Sequence, residues 1–67
     1  MKVLLQNTVT RRFLKPDGGW TSNENNAQKF RNSIDALDHC IGNALRGMQV
    51  VFKFDQLSHD LVIPLRN

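Results

Sequence analysis

The sequence predicts an α+β fold: two antiparallel β-hairpins forming a roughly four-stranded sheet, with one helix packed on one face, in the order ββ(β)-α-ββ. Three observations predict it. Only one stretch, Asn32 to Leu45, carries a sustained helical period. The runs on either side of it alternate with a period of two. The turn residues Pro16-Asp17-Gly18-Gly19 fold the N-terminal third back on itself. Sixty-seven residues make one domain at most, so residues 1–67 are read as a single small α+β domain.

Lys2 to Asn7 reads as the first strand, with Val3 and Leu5 on one face and Leu4 and Gln6 on the other. After the polar Asn7-Thr8-Val9-Thr10, Arg11 to Lys15 resumes an extended pattern around Phe13 and Leu14. Pro16 presets the dihedral for the second turn position, Asp17 bonds the backbone ahead of it, and Gly18 tolerates a positive φ. Trp20 and Thr21 are a short third run folding back on Phe13, and a polar, asparagine-rich loop leads into a helical turn carrying Ala27 and Phe30 beside Ile34.

The main helix is expected over residues 33–45. Asn32 or Ser33 supplies the N-cap oxygen, Asp35 lies in the first turn, Arg46 falls at the negative end, and Gly47 is the helix stop. At ~100° per residue, Ile34, Leu37, Ile41, Ala44 and Leu45 gather on the side expected to be buried. Met48 to Phe54 alternates as a half-buried strand. Asp55 to His59 is a connection of hairpin length, and Asp60 to Leu65 is a last strand that Pro64 marks as an edge. The expected core is Val3, Leu5, Phe13, Trp20, Phe30, Ile34, Leu37, Ile41, Leu45, Val50, Phe52, Phe54, Leu61 and Ile63.

The order Gly18-Gly19-Trp20-Thr21, then Ala27-Gln28-Lys29-Phe30, then Ser33-Ile34-Asp35-Ala36-Leu37 resembles a pattern in small uncharacterised bacterial and phage-type proteins. There a short hairpin ending in G-x-W-T is followed by A-x-x-F and a helix beginning S-x-x-x-A. The resemblance covers about the first two thirds of the chain. It implies a fold and, since those proteins have no assigned activity, carries over no functional residue.

Composition narrows the function classes. The lone Cys40 excludes a disulfide within the chain, and two histidines with one cysteine form no ligand cluster, so no metal and no cofactor are expected. No apolar run approaches the ~20 residues needed to cross a membrane, and no export signal is recognised, so a cytoplasmic location is expected. A net charge of +3 with scattered basic residues permits nucleic-acid binding without demanding it.

No enzyme is expected. His39 and Cys40 are neighbours on a helix and point ~100° apart, so they do not face each other. Asp35 and His39, at i,i+4, read as a surface pair, and His59-Asp60 with Asp55 as a solvated turn. There is no phosphate loop, dinucleotide fingerprint or zinc-protease helix. The leading expectation is a non-catalytic protein-interaction module that contacts a protein partner, or a second copy in a weak homodimer. It would work through the uncovered sheet face, with Leu4, Leu14, Val51 and Val62 as contacts, or through the edge strand. The alternative is a modest nucleic-acid binder using Arg11, Arg12, Lys15 and Trp20, since basic residues beside an aromatic suit phosphate and base.

Overall fold

The structure is a computed structural model, which describes residues 1–56 and 59–65. The elements run β1 (Lys2–Asn7), β2 (Phe13–Leu14), β3 (Trp20–Thr21), a 3-10 turn (Glu24–Asn26), α1 (Ser33–Gly42), β4 (Met48–Lys53) and β5 (Leu61–Pro64). They form one five-stranded antiparallel sheet in the order β3-β2-β1-β4-β5, with α1 packed against β1 and β4. The predicted α+β class and the short run at Trp20 are both present. Of the expected 55–59 connection, residues 57 and 58 lie outside the described residues. Among the described residues no helix is long and apolar enough to cross a membrane.

The β2–β3 turn forms as its residues dictate. Gly18 has φ +88 and donates to the Lys15 carbonyl at 3.0 Å, while Gly19 N–H reaches the Asp17 carboxylate at 2.8 Å. That second bond, then the Lys15 ammonium, holds the Asp17 carboxyl below its ordinary pKa.

The helix starts as expected and stops early. Asn32 Oδ1 accepts from the Asp35 N–H at 2.9 Å. At the other end Ala44, with φ +53, donates to the Ile41 carbonyl, and Leu45 N–H reaches back to the Cys40 carbonyl at 2.9 Å. This is a Schellman stop, with alanine in the left-handed position that glycine usually fills. Gly47, also at positive φ, lies beyond it in the loop.

The expected core is corrected at six positions. Trp20, Ile34, Leu37, Ile41, Leu61 and Ile63 are exposed, and α1 buries Ala36 and Cys40 instead. The helix carries two apolar stripes, and the small side chains of the second let it sit close to the sheet over Val3, Leu5, Leu14, Met48 and Val50. Both ends of the helical segment fix this rotation. Phe30 N–H donates to the Val3 carbonyl ahead of α1, and beyond it Leu45 packs on the same cluster.

The second sheet face is corrected as well. Leu4, Phe13, Ala27 and Val51 form a separate buried cluster there. The 22–30 segment runs beside the sheet, with Gln28 N–H donating to the Leu14 carbonyl, and brings Ala27 over this face. Pairing of Gln6 with Phe13 sets Phe13 on the Leu4 side and Leu14 on the helix side, the reverse of the expected register. A one-residue slip exchanges every side chain between faces. Burial on both faces makes Val3-Leu4-Leu5 and Met48-Gln49-Val50-Val51 continuous buried runs, with Gln49 bonded to Gln6 at 2.7 Å.

Candidate functional site

Going round α1 at ~100° per residue locates its exposed stripe on the sheet. His39 packs edge-on to the Phe30 ring, 5.4 Å away, on the β2 side of β1. Next come Ala36 and Cys40, facing the sheet. A further turn in the same sense brings Leu37, Ile41 and Ile34 to the opposite flank, above β4 and β5. There Ile63 pairs with the buried Val50 and Leu61 with Phe52, so both share the helix side of the sheet. Helix flank and edge strand thus expose an apolar set on the same side of the sheet: Ile34 is 63% exposed, Leu37 37%, Ile41 69%, Leu61 52% and Ile63 43%. Near the helix end it continues into a shallow depression of about 230 Å³ lined by Cys40, Ile41, Ala44, Leu45 and Arg46.

The outer edge of β5 is only partly open to strand pairing. Leu65 N–H donates to the Met48 carbonyl at 3.1 Å. Alternation along an antiparallel ladder then points the backbone groups of Ile63 and Leu61 inward, and those of Val62 and Pro64 outward. Pro64 has no N–H, so these two outward residues offer one donor and two acceptors.

Of the contacts predicted on the second face, Leu4, Leu14 and Val51 are buried within the chain and unavailable to a partner; Val62 is 41% exposed. Above that face lies an ionic cover. Lys53 Nζ reaches Glu24 at 3.1 Å and Asp60 at 2.8 Å, Lys2 reaches Glu24 at 3.5 Å, and Lys53 stands 5.7 Å over the Phe13 ring. The Lys53 hydrogen bond holds the Glu24 carboxyl below its ordinary pKa against a smaller effect of burial. Asp60 in turn raises the Lys53 ammonium.

The predicted basic group divides. Lys15 pairs with Asp17 at 3.5 Å in the β2–β3 turn, away from the others. Arg12 and Trp20 come together, lining with Asn7 and Thr10 an open depression of about 450 Å³. Asn7 Oδ1 shapes its loop by accepting from the Val9 and Thr10 N–H groups at 2.8 and 3.0 Å. Sequence reasoning did not bring the loop of Arg46 to this end of the sheet: the Thr8 N–H and hydroxyl both donate to the Gly47 carbonyl, joining the 8–12 and 43–47 loops, with the Arg46 side chain lining the depression at the helix end.

Comparison with protein-family models, curated proteins and solved structures finds no match for this chain.

Cys40 is buried, and burial pushes its thiol pKa up, away from the nucleophilic thiolate. Asp35 accepts from Arg31 Nε at 2.8 Å rather than pairing with His39. Among the described residues no three His, Cys, Asp or Glu side chains stand together as a metal site.

Proposed function

We propose that the protein is a non-catalytic interaction module that associates weakly with a second copy of itself through the α1–β5 flank. One observation carries this reading. The chain buries Ala36 and Cys40 and leaves Ile34, Leu37 and Ile41 in water beside Leu61 and Ile63. Fully burying an aliphatic side chain is worth roughly 1.5–3 kcal/mol, so five left partly exposed on one side of the sheet are a driving force for contact.

A second copy suits the stripe because it is self-complementary. Antiparallel pairing of two helices about Leu37 sets Ile34 of each against Ile41 of the other, as a two-fold interface requires. Five half-exposed side chains a side supply an area on the order of 1,000 Å² in total, below the size of stable interfaces and within that of transient ones.

Sedimentation equilibrium across a wide concentration range tests this, with Ile41→Asp as the variant. Ile41 is mostly exposed, so the substitution leaves the fold intact. The expected result is a monomer when dilute and a dimer when concentrated, with association lost in Ile41→Asp. A monomer at every concentration, or association unchanged by Ile41→Asp, overturns the reading.

A further inference from the structure

We propose that the Arg11–Arg12–Arg46 end of the sheet, together with Trp20, binds single-stranded nucleic acid, a base stacking on the Trp20 indole while neighbouring phosphates meet the guanidiniums. Trp20 and Arg12 lie toward the β3 edge, away from the β5 edge of the self-association flank, while Arg46 also borders the depression at the helix end of that flank.

Charge is sorted along the sheet. At the end where Lys2 pairs with Lys53, the acids Glu24, Asp55 and Asp60 answer Lys2, Lys53 and the N-terminal ammonium. At the opposite end the two joined loops hold Arg11, Arg12 and Arg46, and among the described residues none of the three forms an ion pair. Among the described residues this end thus gathers three cations that no carboxylate offsets, which is the footprint of a polyanion site.

Trp20 gives that site its selectivity. It is 39% exposed and lines the same open depression as Arg12. A flat base can lie on an indole, and stacking of this kind is worth ~1–3 kcal/mol per base. A duplex has no unstacked base to offer, and an acidic peptide has no aromatic face.

The loop is also held in a costly shape. Arg11 sits at φ +64, a conformation that costs a side-chain-bearing residue ~1–2 kcal/mol and that glycine adopts freely. Gln6 Nε2 accommodates it by donating to the Arg11 carbonyl at 2.9 Å, and Arg11 N–H returns to the Asn7 carbonyl at 2.9 Å. These bonds hold the Arg11 side chain at the loop tip despite the strain.

Trp20 is the sole tryptophan, so its emission reports on the site directly. The experiment titrates the intact protein with single-stranded oligothymidylate of about 12 nucleotides, within the site size of small single-strand binders. We expect saturable quenching, with log K falling against log salt at a slope of about −2 for three phosphate contacts. Arg12→Gln weakens binding several-fold and makes the slope shallower by about 0.7. Arg11→Gly removes a charge while relieving strain. It therefore weakens binding in a protein that melts no lower than the parent, which separates loss of the site from loss of the fold. Absence of quenching at low salt overturns the proposal. So does a duplex of equal length binding as tightly, or polyglutamate displacing the oligonucleotide with Trp20 emission unchanged.

Discussion

Ala44 is the residue whose substitution is easiest to forecast. It occupies the left-handed position of the helix stop, where its Cβ crowds the following carbonyl at a cost of ~1–2 kcal/mol. Glycine removes the clash but loses more backbone entropy on folding, by ~0.4–1 kcal/mol. The balance favours Ala44→Gly by up to about 1 kcal/mol. For a domain of this size that raises the melting temperature by roughly 4–8 °C at most, measurable by calorimetry. A lowered melting temperature would show that Ala44 does not occupy the left-handed position of the stop. Cys40 gives a chemical counterpart. Its burial and raised pKa predict alkylation in the folded protein far slower than in urea, and equal rates in both would contradict the rotation of α1.

At the scale of elements, the helix rotation can be tested by contrasting its two stripes. Ala36→Asp places a carboxylate against the Val3–Leu5–Val50 cluster and should unfold much of the protein, because an unpaired buried charge costs several kcal/mol. Ile34→Asp, on the flank, should change stability of the monomer by no more than ~0.5 kcal/mol. Urea midpoints at a dilution where the protein is monomeric decide between them, and the reverse order would show that the larger stripe faces the sheet. The strands allow a parallel test. Leu4→Ala should cost ~2–5 kcal/mol even though Leu4 lies on the face away from the helix, because the 22–30 segment brings Ala27 onto it.

For the whole molecule, stability depends on pH through the ionic cover that joins the 22–30 segment, β4 and the start of β5. Glu24 is held below its ordinary value of 4.5, so its contribution is complete above that pH and fades as pH falls through the lower folded value. Lys53 is held above 10.5, so its contribution is complete below that pH and fades as pH rises through the higher folded value. Urea midpoints should therefore form a plateau with an acid and an alkaline limb. Glu24→Gln should flatten the acid limb, and an acid limb unaltered in that variant would assign the loss to other carboxylates. Both groups are partly exposed, so salt should shrink the difference.

Sequence alone determined the α+β class, a helix start at Asn32 or Ser33 and the turn at Gly18-Gly19, because each rests on interactions between residues a few positions apart. An N-cap, a positive φ and a period-two run are local, and they are legible wherever their residues stand together. What only the tertiary structure decided were matters of rotation and register. The apolar residues of α1 fit two stripes, and volume alone pointed to Ile34, Leu37 and Ile41. The tethers at Phe30 and Leu45 turned Ala36 and Cys40 to the sheet instead. Likewise the pairing of Gln6 with Phe13, and the return of Ala27 across Leu4 and Val51, closed a face that the alternation of Leu4 and Gln6 had left open. Arg12 and Trp20 were legible as neighbours through their hairpin; Arg46 was not. It is 34 positions from Arg12, and a single carbonyl, that of Gly47, ties its loop to Thr8. Contacts of that kind depend on how elements pack, and no periodicity records them.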